Sequence, residues 1–408
     1  VGTVVEKKPF VYQIINGKLK EIESNYVLNG QTISFELGKY NSNYELIIDP
    51  EIAFSTFIGS SASNFGFTAA NDNADALISG AAVFGTNYPT TLGAYSENFV
   101  ASGGNYMDVA ISKFSPDGTQ LLYSTYLGGS KQETPHSIIA DSQDNFIVMG
   151  VTGSYDFPAT GAAFQPVFNG GPILVMSNFF TSGHPDGCDI FLTKFNSAGT
   201  LLQSTFVGGS TNDGLNYTDQ LYYNYGDAFR GEVNVDENDN IYVATVTKGD
   251  FPMIGPGIQQ TFGGGECDGV LFKMNSSLSA MLASTYIGGS DLDACYAIEF
   301  DSFGNLIIAG GTKSADFPEV ASGHDLSHNG QTDGFIVRLN STTFSILTGT
   351  FVGTNEYDQV YFVQTDTDNN IYVLGQSEGD MSISPGLYGQ PNSGQFIRKY
   401  AVDLTSLT

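Results

Sequence analysis

One phrase returns along the chain, and it limits the fold more than any other feature. Ser284-Thr285-Tyr286-Ile287-Gly288-Gly289-Ser290 reappears as Ser124-Thr125-Tyr126-Leu127-Gly128-Gly129-Ser130 and as Ser204-Thr205-Phe206-Val207-Gly208-Gly209-Ser210. Weaker copies begin at Ser55-Thr56-Phe57 and Gly349-Thr350-Phe351. A turn signal follows each copy: Asp141/Asn145, Asp236/Asn240, Asp301/Asn305 and Asp366/Asn370, with Asn71/Asp75 as a degenerate first version. Then comes Asp-Phe-Pro at 156–158, 250–252 and 316–318, approximated by Asn87-Tyr88-Pro89 and lost at Asp380-Met381-Ser382. An alternating segment with one basic residue closes each unit: Lys113, Lys194, Lys273, Arg338 and Lys399. Five of the chain's 15 Lys and Arg residues thus occupy one repeat position. Repetition on this scale signals an array of equivalent supersecondary units.

Each unit reads as four short strands. In the best copy these are A near 296–300, B near 306–309, C near 335–339 and D near 346–352. Strand B is continuously apolar, as in Ile371-Tyr372-Val373-Leu374. A strand apolar on both faces must be covered on both. Sheets stacked radially satisfy that requirement, because each lies between two neighbours. No stretch shows sustained helical periodicity. The fold class is therefore all-β, a β-propeller of four-stranded antiparallel blades. Five blades are expected near 60–128, 129–208, 209–288, 289–352 and 353–408, after a separate β-rich segment at 1–50. To hide its sheet edges the ring is expected to close by pairing a lone D strand at 54–58 with the last C strand at 396–400.

The blades resemble the SBBP-type β-propeller repeat, whose pattern STYLGGS…DSxGNxYVxG…DFP…DxFVxKLN can be traced across 51–408. Residues 1–50 resemble the end of the β-rich domain that precedes such propellers, through Lys8-Pro9-Phe10-Val11-Tyr12-Gln13 and Leu46-Ile47-Ile48-Asp49-Pro50. Similar proteins are mostly large secreted bacterial surface proteins, many from Bacteroidota with type IX secretion signals. The resemblance implies an extracellular or outer-membrane-associated location.

Composition narrows the partners. Charged residues are 14% of the chain, yet the net charge is −28, from 43 acidic against 15 basic side chains. Such a surface repels nucleic acid and anionic membrane, which both require Lys and Arg clusters. No apolar run approaches membrane-spanning length. The chain lacks a starting methionine and a signal peptide, so it is read as part of a longer protein or surface assembly. Cys188, Cys267 and Cys295 are odd in number and lack metal-site spacing. Either Cys267 pairs with Cys295 or all three are half-buried thiols.

Function is sought in the long connections. The A–B and C–D turns are short, whereas B–C and D–A are long, above all 153–187 and 208–228. In an up-and-down blade both long sets emerge on one face, a typical place for binding. There Tyr217, Asp219, Tyr222, Tyr223 and Tyr225 form the candidate ligand-binding set, because tyrosine offers rigid amphipathic contact area. The competing reading has these rings plugging the channel. Asp236, Asn238, Asn240 and Asp366, Asp368, Asn370 place oxygens at alternate positions as calcium loops do. The sequence favours Asx-turn chemistry there, so no cofactor is expected and calcium stands as the alternative. No nucleophile elbow, P-loop or local Ser-His-Asp pattern occurs, so no catalytic residues are assigned. The chain reads as a non-catalytic binding or adhesion scaffold for a glycan or protein partner. The alternative is a polysaccharide-acting propeller hydrolase or lyase.

Overall fold

The computed structural model describes residues 9–29, 32–49, 54–102, 106–175, 183–218, 220, 221, 223, 226–320, 322–390 and 393–408. The chain divides into two compact units, 1–57 and 58–408. In the first, β1 (Phe10–Ile15), β2 (Lys18–Ile22) and β5 (Ile47–Asp49) form a sheet of order β2-β1-β5, beside the hairpin of β3 (Ser24–Asn29) and β4 (Thr32–Leu37). Asn16 and Gly17 join β1 to β2 with φ of 52° and 75°. This is the Asn-Gly turn whose twist suits a two-residue hairpin.

The second unit is five successive antiparallel sheets. Sheet 1 is β6 (Asn64–Asn71), β7 (Leu77–Val83), β8 (Asp108–Phe114) and β9 (Leu121–Leu127). Sheet 2 is β10 (Glu133–Ala140), β11 (Phe146–Thr152), β12 (Asp189–Phe195) and β13 (Leu201–Val207). Sheet 3 is β14 (Glu232–Val235), β15 (Ile241–Thr247), β16 (Asp268–Met274) and β17 (Met281–Ile287). Sheet 4 is β18 (Asp293–Phe300), β19 (Leu306–Thr312), β20 (Asp333–Leu339) and β21 (Ile346–Val352). Sheet 5 holds β22 (Asp358–Thr365), β23 (Ile371–Ser377) and β24 (Gln395–Tyr400). Only one short 3-10 turn, Asp227–Phe229, interrupts this all-β pattern among the described residues.

Apolar clusters join each sheet to the next. Ile78 and Ile111 of sheet 1 meet Ile138 and Val148. Ile147, Met149 and Leu192 meet Val233, Ile241 and Val243. Tyr242, Ala244 and Leu271 meet Ile298, Leu306 and Ile308. Ile307, Ala309 and Ile336 meet Val360, Val363 and Val373. Burying each such side chain is worth roughly 1.5–3 kcal/mol, so the junctions carry the stability of the array.

The expected closure is not formed. Residues 54–58 make no strand, and Phe57 is fully exposed. The outer edge of β24 instead meets its own following residues, through a Tyr400–Leu407 bridge and a 3.0 Å bond from the Thr408 amide to the Lys399 carbonyl. A short hairpin costs far less loop entropy than a closure spanning the whole unit. Nor does any apolar cluster among the described residues join sheet 5 to sheet 1. Tyr372, Leu374 and Ile397 occupy the positions of Ile307, Ala309 and Ile336. They are 36%, 38% and 75% exposed, where the sheet 4 residues are fully buried.

The repeated residues lock each sheet to its loops. Gly208 must lack a side chain, because a Cβ there would lie 2.7 Å from Asp213 Oδ2 and 2.8 Å from Asp189 Oδ1. Gly128 and Gly288 stand between equivalent carboxyls. The Ser130 and Ser290 amides each donate to the aspartate of the following Asp-Phe-Pro, at 2.9 Å to Asp156 and Asp316. The phenylalanine of that element then packs on strand C, Phe317 against Phe335 at 4.6 Å. The threonine of the repeated phrase fixes the B–C loop, as when Thr205 Oγ1 accepts from the Gln165 amide at 2.9 Å.

The repeated basic residue pairs with the turn aspartate of its own sheet in all five units. The distances are 2.7 Å for Lys113–Asp72, 2.7 Å for Lys194–Asp141, 3.2 Å for Lys273–Asp236, 2.5 Å for Arg338–Asp301 and 3.6 Å for Lys399–Asp366. Lys194 Nζ also donates to the Ser276 carbonyl of the next sheet at 3.0 Å. Burial pushes the Asp141 carboxyl up, but Lys194 and Asn145 outweigh it and hold the group below its ordinary range. Lys194→Met strands the Asp141 carboxylate and should cost about 3–5 kcal/mol in a denaturant melt. Lys399→Met, at the solvent-exposed pair of sheet 5, should leave the melt unchanged within error.

The carboxyls flanking the repeat glycines behave in the opposite sense. Burial raises Asp108, Asp189, Asp268 and Asp333 to about 7, and Glu133, Asp293 and Glu319 to about 8. The folded chain therefore holds more protons here than the unfolded chain above about pH 4, and stability falls as pH rises through the folded values. Calorimetry should give a higher Tm at about pH 6 than at about pH 8.5. A Tm that climbs over this interval would show that these acids are already ionised in the folded state.

Candidate functional site

Strand A of each sheet faces the interior of the array, and in four sheets it carries a β-bulge. The pairing slips between Gly66 and Thr68, Pro135 and Ser137, Cys295 and Ala297, and Val360 and Phe362. The bulged residues are Phe67, His136, Tyr296 and Tyr361. Each stands seven residues after the second position of its Gly-Gly pair or that pair's counterpart, as from Gly129 to His136 and from Gly289 to Tyr296. A bulge adds an unpaired residue and redirects its side chain, which is why bulges gather at functional sites. Here all four line one cleft of about 680 Å³, with Phe229, Arg230 and Glu232 of sheet 3.

In sheet 3 the corresponding residue is Asn216, and there the chain makes an excursion. The Asn216 amide donates to the Ala228 carbonyl at 3.1 Å, so the strand leaves and rejoins its course around residues 217–227. Asn216 Nδ2 reaches the Tyr296 hydroxyl and the Leu221 carbonyl, both at 2.9 Å. Leu221 is fully buried among Val246, Leu292, Tyr296 and Tyr361. Gln220 accepts from Lys313 of sheet 4, and the Tyr223 hydroxyl donates to Glu378 of sheet 5. The excursion therefore crosses from sheet 3 to the B–C loops of sheets 4 and 5, so both sets of long connections meet at one end.

Tyr217 is half-buried against the cluster of Leu215, Ala228 and Phe229. Tyr223 is 52% exposed and packs on Tyr357 at 5.0 Å. Asp219, Tyr222 and Tyr225 lie outside the described residues. Of the five, the structure shows none lining the cleft.

Arg230 is the cation of the cleft. Its Nε donates to Asp227 Oδ1 at 3.0 Å, and its guanidinium lies 3.7 Å from the Tyr361 ring centroid. Asp227 is fully buried and also accepts from the Tyr223 amide at 2.9 Å and the Tyr361 hydroxyl at 3.3 Å. Burial, with help from Glu299, raises Glu232 to about 7, although its carboxylate accepts from the Ile298 amide at 2.8 Å. Burial drives His136 down to about 3, with His184 adding to the effect, and His184 to about 4. Both rings are neutral near pH 7, and none of their nitrogens has a partner among the described residues. Burial raises the Tyr296 and Tyr361 hydroxyls, which therefore act as hydrogen-bonding groups and not as bases.

The predicted calcium positions are occupied by turn chemistry. Asp236 Oδ1 accepts from the amides of Asn238 and Asn240 at 2.9 Å each, and its Oδ2 meets Asn240 Nδ2 and Lys273. Asp366 repeats this with the amides of Asp368 and Asn370, at 3.0 and 2.9 Å. Asp239 and Asn369 take the left-handed conformation next in the turn, with φ of 58° and 62°. Among the described residues no group of three His, Cys, Asp or Glu side chains is placed to hold a metal. Cys188, Cys267 and Cys295 are all free and buried, so the Cys267–Cys295 bond is not formed. Chelation with EDTA should leave the melting temperature unchanged. A fall reversed by added calcium would return these turns to the status of metal loops.

A family model described as a domain of unknown function (DUF7948) matches residues 1–51. No curated protein matches the chain. Among solved structures, the chain is similar to a protein of unknown function from Dyadobacter fermentans, at 10% identity over 86% of this chain and 84% of that one, with a TM-score of 0.40. It is also similar to a PL25 ulvan lyase, at 9% identity over 84% and 70% with a TM-score of 0.36. A β-xylosidase/α-arabinofuranosidase from a compost metagenome gives 9% identity over 86% and 95%, with a TM-score of 0.35. Likenesses this distant carry no argument about what the cleft does.

Proposed function

We propose that the five sheets are blades of a secreted SBBP-type β-propeller, and that this propeller is a non-catalytic scaffold that binds a glycan at the cell surface. The observation that carries the reading is the convergence of bulged side chains on one cleft. Beside them on the cleft wall the exposed rings of Phe65 and Phe362 and the half-buried ring of Phe67 offer faces of the kind that stack on sugars, while Arg230 and Glu232 supply polar groups. The acidic surface supports an extracellular partner over nucleic acid. Loop length alone predicts the outer loops as the binding surface. The excursion at 217–227 instead spends its described contacts on neighbouring sheets.

A second reading rests on Glu232. A buried carboxyl raised to about 7 that lines the same cleft as Arg230 has the protonation a general acid needs, which keeps a polysaccharide-cleaving enzyme in view. One experiment separates the possibilities. A glycan array followed by calorimetry on hits should show binding without product formation. Tyr361→Ala should weaken binding about tenfold, or 1.4 kcal/mol. Tyr223→Ala should change it less than about twofold, being near-neutral as contacts outside the anchor are. The reverse order would move the site to the outer loops, and released oligosaccharide would replace the scaffold with an enzyme.

A further inference from the structure

We propose that the ligand of this cleft is an anionic glycan, captured through the terminal amines of Arg230. The inference rests on the glycan reading above and adds the charge of the sugar.

The geometry of Arg230 points there. It follows Phe229 at the end of the short 3-10 turn and precedes Gly231, whose Cβ would meet Thr245 Oγ1 at 2.6 Å. The backbone thus enters β14 where no side chain fits at the next position, and Arg230 is the last side chain before the strand. Asp227 engages Nε alone, from three residues back. Tyr361 covers the face of the guanidinium, with Phe362 and Tyr296 at 5.7 and 6.0 Å from its carbon. Among the described residues no protein group receives the two terminal amines.

An arginine in this state is half used. Its orientation is fixed by a buried carboxylate and a ring, so little side-chain freedom remains to be lost on binding. Its two terminal amines form a planar fork that matches the two oxygens of a carboxylate or sulfate. A structural arginine spends its terminal amines on protein acceptors, as Arg338 adds Nη2 to Nε in its bond to the Asp301 carboxylate. The other charged lining group, Glu232, is held by the Ile298 amide. A neutral sugar would leave the fork to water. In a chain of net charge −28, an anion enters only where a local cation outweighs the general repulsion. Arg230 is the single lysine or arginine along the described cleft.

The test uses the full chain and four oligosaccharide probes: oligogalacturonate, its methyl ester, a sulfated galactan oligosaccharide and a neutral cello-oligosaccharide. Isothermal titration should show one or both anionic probes binding at least about tenfold more tightly than the two neutral ones. The carboxylated and sulfated arms distinguish the two oxyanions. Arg230→Gln should abolish the preference, and Arg230→Lys, a point charge without the fork, should restore part of it. The comparison of acid with methyl ester needs no variant, so it decides the matter even where Arg230→Gln fails to fold. If the methyl ester binds as tightly as the free acid, the anionic ligand is overturned while glycan binding stands. If none of the four binds and the wider array is also silent, both proposals fall together.

Discussion

A thin sheet that is apolar on both faces cannot face water on either, and this requirement organises the second unit. The last three junctions meet it with the same few positions: two on strand B and one on strand C of one sheet, against strands A, B and C of the next. Sheet 5 shows the rule by its exception. Tyr372, Leu374 and Ile397 stand where a following sheet would cover them, and they are exposed. The polar devices at the rims depend on this packing, because they lie close only when consecutive sheets are in register. Examples are the Ser142 hydroxyl on Asp239, the Ser302 amide on Asn369 and the Lys194 ammonium on Ser276.

Much of the fold was legible because the repeated residues are repeated for local reasons. The glycine pair marks a place where two carboxyls leave no room for a Cβ. The Asp…Asn interval marks an aspartate that caps its own turn. The basic residue marks the partner of that aspartate. Each is a short-range requirement written in neighbouring sequence, so strand order and approximate strand ends followed. The closing strand did not, because Ser55-Thr56-Phe57 states what kind of segment it resembles and not which edge is free to receive it. Local hairpin formation at Tyr400 took that edge instead.

The cleft was harder to read for a different reason. Phe67, His136, Asn216, Tyr296 and Tyr361 share a fixed spacing from the glycine pair, which is a signal in the sequence. Their chemistry differs from copy to copy, so they escape a search for similarity. The tyrosines near 217–225 are conspicuous in the sequence because they are crowded among aspartates. The structure instead uses the described part of that excursion to tie three sheets together, and lines its cleft with side chains turned inward by bulges. In an array of near-identical units, variation at a position whose geometry is constant is the better guide to function.

The ion pair between strand C and the A–B turn is completed inside a single sheet. The repeated basic residue of every unit is therefore neutralised before that unit meets a neighbour. A unit can be duplicated or deleted through recombination without orphaning a lysine or an aspartate elsewhere. In four of the units the bulged residue that lines the cleft travels with the unit too, so a change in copy number alters the cleft wall in whole steps. Exchange of one module would thus carry its ion pair across intact, and with it the one polar partnership whose loss strands a buried carboxylate.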